Sequence, residues 1–365
     1  MFFRYILTCI ALTGFLSTAY AGLEEGLSAA QRGDYKTALQ EWQPLAEQGD
    51  VFAQFNLGLM YVKGQGESQS YQEAAKWYRL AAEQGYSGAQ FNLAYMYGHG
   101  QGVQQSYTEA AKWYRLAADQ GHPDAQYNLG LAYHDGKGVQ QSYPEALKWY
   151  RLAAEQGDGV AQNDLAFMYG HGQGVPQDYK EAIKWYRLAA EQGLAGAQYN
   201  LGLYYSIGQG VPQNFHEASK WYRLAAEQGE AKGQYNLAMA YYDGKGVQQD
   251  DNEAIKWHRL AAEQGHAKAQ NNLGLMYSIG QGVPRNFVVA YALCNLAATN
   301  QKFINALESR ELIMTKMTAS EIEAGQELTR KMANHPIKTL DAYLSSDAVL
   351  ELCSPSGKAC RKIDL

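Results

Sequence analysis

AQFNLGLMYVKGQGESQSYQEAAKWYRLAAEQG, residues 53–85, decides the architecture, because its main features return every 36 residues. Trp77 is followed by Trp113, Trp149, Trp185, Trp221 and Trp257, and Leu57 by Leu93, Leu129, Leu165, Leu201, Leu237 and Leu273. Tyr61, Tyr97, Tyr133, Tyr169, Tyr205, Tyr241 and Tyr277 keep the same step. Within one unit Ala53, Leu57 and Tyr61 stand at i, i+4 and i+8 and so share one face of a helix. Gly64 and Gly66 then end that helix and permit positive φ, as Gly100 with Gly102 and Gly136 with Gly138 do in the next units. A second helix opens near Tyr71, carries Ala74, Ala75, Trp77, Tyr78, Ala81 and Ala82, and runs to Gly85.

A single unit cannot hide both of its apolar faces, so neighbours must stack. The predicted fold is all-α: an α/α superhelical solenoid of stacked 36-residue helix-turn-helix repeats over 22–316. Its ends depart from the pattern, as terminal units should. A helix from Tyr35 has Trp42 where later units have Tyr78, and Pro44 is expected to bend or shorten it. At the other end Phe287 to Ala298 keeps the register, with Leu293 for Trp and Asn295 for Arg. Capping helices are predicted over 305–317 and 320–332, the latter within a capping segment 317–334 and preceded by Thr318 and Glu321 at capping-box spacing. Residues 335–365 read as a partly ordered tail.

The composition narrows the function. The chain is 46% hydrophobic and 19% charged, too apolar for a disordered protein. A formal charge of −6 gives no global electrostatic case for nucleic acid or an anionic membrane. Residues 1–21 have Arg4, an apolar run from Tyr5 to Leu16 and the ending Ala19-Tyr20-Ala21, which reads as a secretory signal cut after Ala21. The apolar run is short of the roughly 20 residues a membrane span needs. A periplasmic or secreted protein is expected. Cys353 and Cys360, around Ser354-Pro355-Ser356-Gly357, are a candidate disulfide in an oxidising compartment. Cys294 stands where earlier units have Tyr or His and reads as a small buried hydrophobe.

The strings AQFNLGLMY and YQEAAKWYRLAAEQG, joined by a GxG turn, resemble the Sel1-like repeat, a relative of the tetratricopeptide repeat, over residues 35–316. The resemblance implies an α/α solenoid acting as an adaptor or scaffold for protein or peptide partners, and, for exported bacterial members, a role in the envelope or toward a host cell. Cysteine-rich members of the family interact with β-lactams, so an envelope enzyme acting on β-lactam or peptidoglycan is the alternative. This chain has no cysteine in the repeats before Cys294, which counts against it.

Catalytic chemistry has no support in the residues. Gly98-His99-Gly100-Gln101-Gly102 lacks phosphate-loop spacing and follows a helix. His99, His134 and His171 are read as turn residues with no metal-ligand pattern beside them. No catalytic residue, metal site or cofactor is predicted. The basic columns headed by Lys76 and Arg79 have an acid within one turn, Glu73 and Glu83, and read as a solvated, self-paired face.

The first helix is more informative. By likeness to tetratricopeptide repeats it should line a concave groove. One position holds Phe55, Phe91, Tyr127, Asn163, Tyr199, Tyr235 and Asn271, and the position one turn later Leu59, Tyr95, Leu131, Phe167, Leu203, Met239 and Leu275. Such aromatic richness fits either partner recognition or packing between repeats. His134 and Tyr242, standing where other units have Val62, Gly98, Gly170, Ser206 and Ser278, are candidates for specificity. The candidate partner-binding set is Phe91, Tyr95, Tyr127, His134, Phe167, Tyr199, Tyr235 and Tyr242. Gly58, Ala94, Gly130, Ala166, Gly202, Ala238 and Gly274 alternate strictly, implying a 72-residue double unit.

Overall fold

The computed structural model describes residues 21–299, 304–333 and 335–345. The signal segment, apart from Ala21, and the Cys353/Cys360 pair lie outside the described residues. Every regular element among them is a helix. The chain divides into two compact units, Met1–Asp178 and Tyr179–Leu365. The first holds α1 (21–31), α2 (Tyr35–Glu47), α3 (Val51–Lys63), α4 (Tyr71–Glu83), α5 (Ser87–His99), α6 (Tyr107–Asp119), α7 (Pro123–Asp135), α8 (Tyr143–Glu155) and α9 (Gly159–His171). The second holds α10 (Tyr179–Glu191), α11 (Ala195–Ile207), α12 (Phe215–Glu227), α13 (Ala231–Asp243), α14 (Asp251–Glu263), α15 (Ala267–Ile279), α16 (Phe287–Ala298), α17 (Asn305–Met314), α18 (Ala319–Met332) and α19 (Pro336–Leu344).

In each unit the predicted α/α repeat is present: a first helix, a glycine turn, a second helix, then the next first helix packed on it. The turn fixes the hairpin. Gly136 ends α7 in the left-handed region at φ 70°, and Gly138 follows at φ 76°, where a Cβ would lie only 2.0 Å from the Tyr107 carbonyl oxygen of the preceding repeat. Second helices begin on a side-chain cap: the Oγ of Ser70, Ser106 and Ser142 accepts the backbone N–H three residues on. Leu57, Leu93, Leu129 and Leu165, with the alanines before them, form the buried seam of the first unit. Leu201, Leu237 and Leu273 do so in the second.

Buried polar groups tie successive repeats together. Gln54, Gln90 and Gln126 each donate to the carbonyl eight residues back, at Ala46, Ala82 and Ala118, which closes the end of the previous helix. Each also accepts from the glutamine that follows the second helix: Gln84 to Gln54 at 2.8 Å, Gln120 to Gln90 at 2.7 Å and Gln156 to Gln126 at 2.7 Å. The second unit repeats the pattern with Gln228 to Gln198 and Gln264 to Gln234. These buried amides are thus satisfied on both sides.

The alternation of glycine and alanine now has a physical account. A Cβ at Gly58 or Gly130 would lie 2.6 Å from the ring of Tyr78 or Tyr150, and at Gly202 2.8 Å from that of Tyr222. In alternate repeats the second-helix ring therefore lies directly on the first-helix backbone. At Gly274 the opposing group is the Cys294 sulfur, 2.7 Å from such a Cβ. Cys294 is free and fully buried, and burial pushes its thiol up to about 12.

Pro44 does not shorten α2, which has the same 13 residues as α3 to α15; the proline falls in the last turn, where one lost N–H costs little length. The arginines do not pair with the acids four residues on. Arg79 donates to the Tyr97 hydroxyl at 2.5 Å, and Arg115, Arg151, Arg187 and Arg223 reach Tyr133, Tyr169, Tyr205 and Tyr241 in the same way. This column is thus used between repeats, whereas Lys76, Lys112, Lys184, Lys220 and Lys256 do pair with the glutamate three before. The first capping helix ends at Met314, short of 317, while α18 carries the predicted capping box on Thr318 and Glu321. The described start of the tail is helical: α19 places Asp341 on Arg259 and gives the Ile337 N–H to Glu263, and buries Leu340 in the core of α14–α16 and α18.

Candidate partner-binding surface

The first helices bring the candidate residues to their surfaces unequally. In the first unit Phe91 stacks on His122, the residue before α7, at 4.9 Å and 15°. Tyr95 and Phe167 lie one turn further along their helices, 41% and 39% exposed, each stacked at 3.9 Å on the last histidine of its helix, His99 or His171. The Nδ1 of each histidine lies within hydrogen-bond distance of the Tyr95 or Phe167 carbonyl, fixing the ring beneath its aromatic partner. His134 bonds Asp135 at 2.9 Å, and Lys137 bonds the other oxygen of that carboxylate at 2.9 Å. Those two contacts hold Asp135 below the usual carboxylate range.

The second unit is furnished similarly. Tyr199 lies against Tyr222 and under Lys232 at 5.7 Å. Tyr235 stacks on His266 at 4.8 Å. Tyr242 borders a pocket between α13 and α15. Phe91 and Tyr235 are thus engaged in packing against the last residue of their own repeat, which leads into the next first helix, while Tyr95 and Phe167 present a ring face to solvent. On the second helices, Leu80 and Leu116 are exposed in the first unit and Leu188, Leu224 and Leu260 in the second. Among the described residues no group of three or more His, Cys, Asp or Glu is assembled that could hold a metal. No helix there is long and apolar enough to cross a membrane.

A family model described as the Sel1 repeat matches seven successive segments, 51–86, 87–122, 123–158, 159–194, 195–230, 231–266 and 267–301. The chain belongs to the Sel1-repeat family. Each matched segment begins with a first helix and contains the second, so the family's unit and the structural hairpin coincide. The Sel1-repeat fold commonly mediates protein–protein interaction, and its solenoids are generally not enzymes. Among solved structures, a Sel1 repeat protein of Oxalobacter formigenes is 34% identical over 67% of this chain and 96% of its own, with a TM-score of 0.58. A protective antigen of uropathogenic Escherichia coli strains, displaying an SLR fold, is 29% identical over 98% and 99% of the two chains, with a TM-score of 0.38. A search of curated proteins gives no match.

Two residues of this Sel1-repeat protein stand out that the sequence reading did not select. Asp164 replaces the asparagine found at 56, 92, 128, 200, 236 and 272. It accepts from the Tyr127 hydroxyl at 3.2 Å and from Asn163 at 3.0 Å, within the field of His134, so it joins two of the candidate residues into one cluster. His258 replaces the second-helix tyrosine of the five preceding repeats. Both were detectable as breaks in their columns, Asp164 in a run of asparagines and His258 after five tyrosines.

Burial raises the Asp164 carboxyl above its ordinary value more than its two hydrogen bonds lower it. The folded state then holds this proton more tightly than the unfolded chain, so stability falls as pH rises from the ordinary carboxylate range through the raised value. Asp164→Asn, which restores the repeat's own residue, is expected to stabilise the protein by about 1 kcal/mol at pH 7. The gain should vanish near pH 3, as read from urea unfolding of both proteins at each pH.

Proposed function

We propose that this protein is a periplasmic or secreted scaffold that binds a protein or peptide partner along the face of its first helices, without catalysis. The observation that carries this reading is the pair of rings on Tyr95 and Phe167. Each is exposed yet held by its own histidine, giving large contact area at little cost in side-chain freedom. The cluster of Tyr127, Asp164 and His134 adds polarity on the first helices, and the signal-like segment before Gly22 supports export.

The test is cross-linking capture with the mature chain beside a variant carrying Tyr95→Ala, His134→Ala and Phe167→Ala, chosen because these side chains are not in the buried seam. The variant is expected to keep its helicity and thermal midpoint within a few degrees and to lose at least tenfold in recovery of the partner. Equal recovery by both proteins would move the binding face to the second-helix leucines. Fractionation of periplasm, culture medium and cytoplasm, with N-terminal sequencing of the product, checks location; a full-length cytoplasmic chain would overturn export.

A further inference from the structure

The repeat at 231–266 differs from its siblings at its second-helix ring. Tyr78, Tyr114, Tyr150, Tyr186 and Tyr222 precede it at that position, but here the residue is His258. In the preceding repeat the Tyr222 hydroxyl donates to Ser206 at 3.0 Å and also bonds Asn236 of the next first helix. The matching residues around His258 are Tyr242 and Asn272. An imidazole ends short of the place where a phenol hydroxyl would sit. What remains is a pocket of about 200 Å³ lined by Met239, Tyr242, His258, Asn272, Leu275 and Ile279.

The pocket is built for an uncharged group with a polar tip. No charged side chain lines it. His258 is 1% exposed, and among the described residues neither ring nitrogen has a hydrogen-bond partner. An unpaired buried imidazole is costly, and this one bears that cost on a pocket wall. Burial depresses its basicity to about 3, so at neutral pH it offers one N–H donor and one nitrogen acceptor. A hydroxyl can meet it through either nitrogen, accepting from the N–H or donating to the bare nitrogen, whereas a carboxylate or an ammonium would bring in a charge that no lining side chain compensates. The Met239 thioether is a favourable neighbour for an aromatic ring. Its mouth lies on the first-helix face, since Met239 and Leu275 occupy the column of Tyr95 and Phe167 and Ile279 is exposed.

We infer that the pocket between α13 and α15, closed at its base by His258, binds a phenol: an aromatic ring whose hydroxyl meets the buried imidazole. The chemistry is the same whether a partner's tyrosine or a free small phenol supplies it. This inference adds a specific subsite to the proposed binding face and is tested without any protein partner, so its failure leaves the capture experiment standing.

The test is calorimetric titration of the whole mature chain with p-cresol, the tyrosine side-chain analogue, and with toluene. Wild type should bind one p-cresol saturably and toluene at least tenfold more weakly. His258→Tyr fills the pocket with the repeat's own ring, and Ala238→Gly with His258→Tyr recreates the Gly202 and Tyr222 pairing should the single variant fold poorly. Either folded variant should lose at least tenfold in p-cresol affinity. No saturable binding by wild type, undiminished binding by a folded filled variant, or equal affinity for toluene would each overturn the assignment. Competition by acetyl-Gly-Tyr-Gly-amide assigns the ligand to a partner's tyrosine; p-cresol binding without such competition assigns it to a free phenol.

Discussion

Gly138→Ala is expected to destabilise the first unit by about 3 kcal/mol. Two effects add. At φ 76° any side chain is strained, and a Cβ here would overlap the Tyr107 carbonyl and the backbone after it. Gly157→Ala separates the two effects. It has φ 95° but nothing within 4 Å of the added methyl, so it should cost only about 1 kcal/mol. Because Tyr107 opens α6 of the preceding repeat, the larger loss falls on the junction between neighbours rather than on one hairpin. In a chain whose stability sums repeat and junction terms, that should broaden or split the unfolding transition. Urea unfolding followed by circular dichroism checks it; equal costs for the two glycines would show that the close approach contributes nothing.

Leu129→Ala should cost about 2–5 kcal/mol, against at most about 0.5 kcal/mol for Leu116→Ala. Both leucines repeat every 36 residues, and Leu116 stands in as regular a column as Leu129. Leu129 is fully buried, however, while Leu116 is 41% exposed on the second-helix surface. Thermal unfolding of the two variants beside wild type is sufficient. Comparable losses would mean that the second-helix leucines are also core.

That pair of leucines illustrates how far the sequence could be read. Periodicity reveals which positions matter to the repeat, and from it the hairpin, its glycine turn and the alanine seam follow directly, while the spacing of Thr318 and Glu321 gives the capping box. It does not say what each column touches. Arg79 has Glu83 one turn away, and only packing of the next repeat shows that the tyrosine 18 residues on, Tyr97, is the partner it takes. Phe91 and Tyr95 are equally aromatic neighbours on one helix, yet the first is spent on His122 and the second is left facing water. At Asp164 and His258 the informative signal is interruption of a column, and its meaning depends on the void or hydrogen bonds created in three dimensions. Helix α19 lies beyond the repeat, where no period guides the eye.

The glutamine relay bears on how such a chain changes over generations. Gln90 reaches eight residues back and receives Gln120 from thirty residues ahead, and every such link has a copy one period away. A genetic duplication or excision of a whole period, for example 87–122, therefore rejoins each amide to an equivalent partner without inventing a contact. A cut that is not a whole number of periods would strand a donor and a carbonyl in the interior. Unequal recombination between such repeats can thus lengthen or shorten the protein in whole steps, with selection then acting on the aromatic and polar residues each step displays.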